Sequence, residues 1–173
     1  MSDQRLNVLS KNDAYMLIAI LISKRSKDPN TQVGAVIVST RDRVLSLGYN
    51  GFPNGCSDNE FPWAREAPNE YDTKYPYVIH AELNAILNFL GDHSNLIGAT
   101  MYVTLFPCRE CAKAIIQSGI KQIFYDSNKY KDTIDYKESC RMLDAAGITY
   151  TQHTIDPVKY AKAFSIKFKP NVK

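Results

Sequence analysis

Two short segments constrain this chain more than anything else in it: His80-Ala81-Glu82 and Pro107-Cys108-Arg109-Glu110-Cys111. Each stands at the start of a run with helical periodicity, and any fold for the chain has to bring the two together. Proline cannot continue a helix but suits its first turn, so Pro107 reads as a helix start. Cys108 and Cys111 then fall in the first turn, three residues apart on one face. The partial positive charge of a helix N-terminus favours thiolate. Two thiolates converging there are natural zinc ligands, with metal–sulfur distances of about 2.3 Å. His80, at or near the start of another helix, is the third ligand. Three protein ligands leave one position open, which marks a catalytic zinc; structural sites are usually closed by four.

Glu82 completes the chemistry. Zinc makes hydroxide available near pH ~7. Attack on a pyrimidine carbon also needs protons placed on the ring nitrogen and on the departing amine. A carboxylate two residues from the ligand histidine can take the water proton and deliver it, so Glu82 reads as a proton shuttle and not a ligand. The pairing of His-X-Glu with Pro-Cys-X-X-Cys is the signature of zinc-dependent nucleobase deaminases. Competing readings of the cysteines fit less well. A structural zinc ribbon needs a fourth ligand, and Cys56 and Cys140 stand alone; a redox pair has no use for His-X-Glu. Cys140 reads as a core thiol, His93 as a solvated turn residue and His153 as structural. Cys56 remains open as support for a second metal.

The pattern around these segments is that of a single α/β domain of 173 residues, with its core over about residues 12–152 and a basic C-terminal tail. Ser10 or Asn12 can cap a first helix whose apolar stripe is Ala14, Leu17, Ile18, Leu21 and Ile22, ending near Ser26. Val33–Ser39 and Val44–Tyr49 read as a hairpin turning at Thr40–Arg43. Asn50–Pro76 lacks periodicity and holds four prolines and two glycines; a loop of that length in a compact domain is often functional, with room for a short helix at Trp63–Glu66. Helices over Val78–Leu90, Cys108–Ser118 and Tyr136–Ala146 alternate with strands over Ala99–Leu105, Gln122–Tyr125 and Ile148–Gln152, and a last helix is expected at Pro157–Phe164. Strands separated by helices of this length imply parallel pairing in the second half. The expected architecture is a three-layer, mixed five-stranded sheet with helices on both faces.

Composition narrows the function classes. Hydrophobic residues make up 45% of the chain, enough for a substantial core, and the net charge is only +3. A dedicated duplex-binding protein would show a stronger, one-sided basic bias. Met1–Lys11 is polar with no apolar core of a signal peptide, and the longest apolar run, Ala14–Ile22, is about half the roughly 20 residues of a membrane span. The expectation is a cytoplasmic protein with reduced thiols, bound to neither membrane nor nucleic acid polymer.

At these residues the sequence resembles the deoxycytidylate (dCMP) deaminases of the cytidine deaminase superfamily. The similarity runs through Ser26–Ala35, Gly48–Asp58, Tyr75–Ile86 and Leu105–Lys113. It implies a cytidine-deaminase-like fold, conversion of dCMP to dUMP for thymidylate synthesis, a homohexamer, activation by dCTP, inhibition by dTTP, and Mg2+ accompanying the triphosphate. dCTP as an additional substrate is left open. The resemblance places Asn50 beside the deoxyribose, where its amide offers both donor and acceptor, with Gly48 and Gly51 letting backbone approach the ligand. It points to Asn50, Ala81, Lys24, Ser26 and Tyr130 at the substrate, and to Lys27, Gly51 and Asn54 at the effector. Lys24–Lys27 are candidates for phosphates of either ligand, and Tyr130 for stacking on a base. Two alternatives stay open: a tRNA adenosine or polynucleotide cytosine deaminase, and an inactive nucleotide-sensing protein.

Overall fold

The structure is a computed structural model that describes residues 8–156; the helix expected at Pro157–Phe164 and the basic tail lie outside those residues. Five strands, β1 Gly34–Val38, β2 Val44–Tyr49, β3 Thr100–Leu105, β4 Gln122–Ser127 and β5 Thr149–Gln152, form one sheet in the order β2-β1-β3-β4-β5. β1 is antiparallel to both neighbours, while β3, β4 and β5 run parallel. The parallel pairs are joined by α3 Arg109–Gln117 and α4 Ile134–Ala145, as crossover connections require. All five residues of β1 are buried, because this central strand is covered on both faces.

Strand side chains alternate between two cores. On one face, α1 (Lys11–Ser23) packs Met16 and Ala19 against Val36, Val38 and Tyr102. On the other, α2 (Ala81–Leu87), α3 and α4 bury Ala81, Ala85, Ala112, Ile115 and Leu143 against Ala35, Ile37, Met101, Val103 and Ile123. The expected helices on both faces are present. Two glycines set the close approaches. A side-chain carbon on Gly34 would lie 2.1 Å from the Ala19 carbonyl oxygen of α1, and one on Gly48 would lie 2.3 Å from both the Ala81 carbonyl oxygen and the Ala85 nitrogen of α2. Gly48 therefore seats the ligand-bearing helix on the sheet, and the expectation that it admits a ligand is corrected.

Several boundaries differ from the sequence reading. Ser10 is the cap of α1, accepting from the Asp13 N–H at 3.1 Å, and the helix ends at Ser23. α2 is shorter than the expected Val78–Leu90. Its start is delayed because Ile79 is extended and exchanges two backbone hydrogen bonds with Gly51, at 2.8 and 3.1 Å. At its other end Asn88 is the C-cap, and its side-chain amide donates to the Leu47 carbonyl. No helix forms at Trp63–Glu66; the one helical turn of the long loop is a 3-10 turn at Glu70–Asp72. The loop is held instead by its aromatic rings. Trp63 packs on Phe52 with centroids 4.1 Å apart, and Phe61 bridges Phe52 and Tyr77. Lys74, buried in the same loop, is ion-paired with buried Asp28. All four cysteines are free thiols, and no helix among the described residues is long and apolar enough to cross a membrane.

Candidate active site

The delayed start of α2 makes His80 its N-cap, in extended backbone conformation. Cys108 plays the same part for α3, which begins at Arg109, one residue later than the sequence suggested. Its sulfur accepts from the Cys111 N–H at 3.5 Å, taking the place that a Ser or Asp oxygen fills in ordinary caps. Two helix N-termini thus meet beyond the C-terminal end of β3, the middle strand. His80 Nδ1 lies 3.4 Å from Cys108 Sγ and 3.5 Å from Cys111 Sγ, and the three donor atoms fall within 4.8 Å of one another. Ligand bonds of about 2.0–2.1 Å to nitrogen and 2.3 Å to sulfur at tetrahedral angles put N and S roughly 3.5 Å apart. The donor set therefore fits a tetrahedral zinc with one position left over.

Without a metal the three groups set one another's charge, and zinc would have to displace the protons of His80 and Cys111. The Cys108 thiol is pulled down to about 4, first by its hydrogen bond with Cys111 and then by His80. His80 is raised to about 9, chiefly by Cys108, while Cys111 is pushed up by Cys108 and by burial. A thiolate is already favoured at the exposed end of the pair. Glu82, in the first turn of α2, is only 3% exposed. Burial lifts its carboxyl to about 7, against the opposing pull of neighbouring His80. A carboxyl that changes charge near neutrality suits proton transfer.

His80, Glu82 and Cys108 line one cavity of about 380 Å3, which also contacts Asp28, Asn50, Ala81, Tyr130 and Asp135; Cys111 is buried behind it. That volume lies within the roughly 300–1,000 Å3 of small-molecule sites. Asn50 is 5% exposed, and its side chain is engaged: Oδ1 accepts from Val33 N–H at 2.8 Å, and Nδ2 donates to the Thr31 carbonyl at 2.9 Å and to Asp28 at 3.3 Å. It braces the cavity wall. Asp135 accepts from the Arg109 N–H at 3.3 Å, and Arg109 also reaches Glu138, so α3 and α4 are clasped at their N-termini.

Lys24 and Ser26, expected at the substrate, are not among the residues lining this cavity. They line a second hollow of about 440 Å3 with Lys27, Gly51, Asn54 and Cys56. The two spaces share Asn50 as a wall, and Ser26 Oγ donates to its carbonyl at 2.8 Å. Cys56 belongs to no His/Cys/Asp/Glu cluster of metal-binding geometry among the described residues; the one such cluster is His80, Cys108 and Cys111. Cys140 and His153 are structural, as expected: Cys140 packs beside the core, and His153 Nε2 pairs with Asp13 at 2.9 Å. The sequence reading passed over Arg65, Lys74 and Tyr75, which also line the first cavity; the available signal was that Arg65 and Lys74 are the two basic residues of an otherwise acidic loop.

Residues 9–127 match the family described as "Cytidine and deoxycytidylate deaminase zinc-binding region". A deoxycytidylate deaminase of Pongo abelii is 50% identical over 147 residues, covering 85% of this chain and 82% of that protein. The deoxycytidylate deaminase of Enterobacteria phage T4 is 39% identical, covering 69% and 81%. Among solved structures, the dCMP deaminase from the cyanophage S-TIM5 in complex with dCMP and dUMP superposes with a TM-score of 0.64 at 29% identity, over 82% of this chain and 95% of that one. With the zinc-ligand geometry and buried Glu82 in place, the chain belongs to the cytidine and deoxycytidylate deaminase family.

Proposed function

We propose that this protein is a zinc-dependent hydrolase that converts dCMP to dUMP. The observation that carries the reading is a three-donor zinc set that opens, through His80 and Cys108, into one nucleotide-sized cavity also lined by the buried Glu82 carboxyl. His80, Cys108 and Cys111 would hold the zinc, whose Lewis acidity makes water a nucleophile at neutral pH. Glu82 accepts a proton from the attacking water and places it on the pyrimidine ring nitrogen as the new C–O bond forms at the amino-bearing carbon. It then carries the second proton to the amine, the C–N bond breaks, and ammonia leaves. Asn50 fixes the wall against which the sugar lies, and Ala81 and Tyr130 complete the pocket.

The second hollow is the candidate effector site. Its Lys24, Lys27, Ser26, Gly51 and Asn54 suit a triphosphate with Mg2+, dCTP as activator and dTTP as inhibitor. Leu87 and Leu90, 61% and 96% exposed at the end of α2, support assembly into a homohexamer. Free thiols support a cytoplasmic setting, where the product dUMP serves thymidylate synthesis. The test is a turnover assay on zinc-loaded protein with dCMP and dCTP as separate substrates, each with and without dCTP or dTTP as effector. Formation of dUMP from dCMP is expected. Its complete absence under every effector condition overturns the assignment, and dUTP formation from dCTP widens it.

A further inference from the structure

One end of the first cavity is defined by the metal ligands, and another by residues of the long loop and of the β4–α4 connection. Arg65 lines that second region and is exposed. Its Nε donates to the Tyr75 hydroxyl at 3.2 Å, and Tyr130 is a further phenol partner. Phenols do not neutralise a guanidinium at neutral pH, and Arg65 forms no ion pair among the described residues. The other cation lining the cavity, Lys74, is buried against Asp28. With Lys74 committed to Asp28 and His80 committed to the zinc set, Arg65 is the lining cation left for a ligand anion among the described residues. Lys129 strengthens that second region: its Nζ lies 4.9 Å from the Tyr130 ring centroid and 3.1 Å from Thr31 Oγ1. An always-charged, fork-shaped donor held in place by neutral acceptors is half of a bidentate pair awaiting a phosphate.

We propose that Arg65 takes the 5′-phosphate of the substrate nucleotide and so discriminates nucleotide from nucleoside, with Tyr75 as the positioning residue that orients the guanidinium. The inference rests on the nucleotide-deaminase reading above and sharpens it. It moves the substrate phosphate away from Lys24 and Ser26, which face the other hollow. Because Arg65 is exposed and makes no core contact, replacing it leaves the fold intact, which an unchanged Tm verifies.

The experiment measures binding of dUMP and of deoxyuridine to the zinc-loaded full chain, together with turnover of dCMP and of deoxycytidine. In the wild type dUMP binds more tightly than deoxyuridine. Arg65→Met removes roughly 10- to 100-fold of that preference, the range for a lost charge-assisted contact. Arg65→Lys retains part of it, and Tyr75→Phe raises KM for dCMP several-fold with kcat unchanged. Deoxycytidine turnover is the same in all of them. A dUMP-to-deoxyuridine ratio within about threefold of wild type in Arg65→Met, an equal loss on both ligands, or no phosphate preference in the wild type overturns the proposal. A wild type that deaminates neither substrate ends the deaminase reading, while the binding ratio still decides the role of Arg65.

Discussion

At the scale of single residues, the site depends on groups whose neighbours have been chosen as tightly as the groups themselves. Glu82 is useful because burial raises its carboxyl to about 7. Glu82→Gln keeps the shape but cannot cycle a proton; zinc content by metal analysis stays at one ion per chain while kcat falls by about 10²- to 10⁴-fold. A variant that retained wild-type turnover would remove Glu82 from proton transfer. Gly48 is a second case. Gly48→Ala drives a methyl into backbone atoms of α2 at 2.3 Å, where no side chain can give way. Overpacking of this kind costs at least about 2 kcal/mol, which in a chain of this size lowers Tm by roughly 4–8 °C. Because α2 carries Glu82 and is capped by His80, zinc affinity falls with it. The clustering of His80, Cys108 and Cys111 was legible from their spacing, and it was the deaminase signature that singled out Glu82 beside them. The role of Gly48 was not legible, since a glycine beneath a helix and a glycine beside a ligand look identical in one dimension.

At the scale of elements, the segment from Asn50 to Pro76 is where periodicity failed and side-chain contacts decided. Its aromatic cluster carries no regular spacing, and its fixed point, Lys74 on Asp28, joins residues 46 apart. Asp28 is pushed up by burial, yet the Lys74 ammonium and the N–H groups of Asn30 and Thr31 hold it, on balance, below the usual carboxylate value. A carboxyl depressed in the folded state contributes stability above its unfolded value near 4 and loses it as pH falls through the folded one. Lys74→Met should therefore be destabilised at pH 7 by about 3–5 kcal/mol, the cost of stranding a buried charge. The gap to wild type narrows below about pH 4, and the double variant with Asp28→Asn recovers much of the loss. Urea midpoints at pH 7, 4 and 3 check this; a gap independent of pH would show that the pair is not the source. The helix boundaries were misread for a related reason. The apolar pattern from Val78 continues the helix, but a β-bridge from Ile79 to Gly51 claims the backbone first.

At the scale of the whole molecule, the metal centre is also a structural joint. His80 caps α2, and Cys108 caps α3 while Cys111 lies in its first turn, so one ion would tie the two helices together. Zinc at 1,000 times its dissociation constant adds about 4 kcal/mol to stability. A chelator should lower Tm accordingly and zinc should restore it, read by thermal unfolding with and without metal. Assembly is read independently: Leu90→Glu places a charge on an exposed apolar side chain and should shift light-scattering mass toward smaller species without changing Tm of the subunit. The order of layers and the parallel second half followed from the alternation of helix and strand, because local periodicity and topology agree there. The division of the basic residues into two spaces did not, because it depends on which side of Asn50 each side chain falls.

That division has a mechanical consequence. The residue common to the two spaces is Asn50, its carbonyl held by Ser26 and its side chain by Asp28, Thr31 and Val33, and Gly51 follows it. Gly51 is stitched to Ile79, the residue before His80. A shift of Asn50 would therefore reach both spaces and, through Gly51 and Ile79, the peptide next to His80.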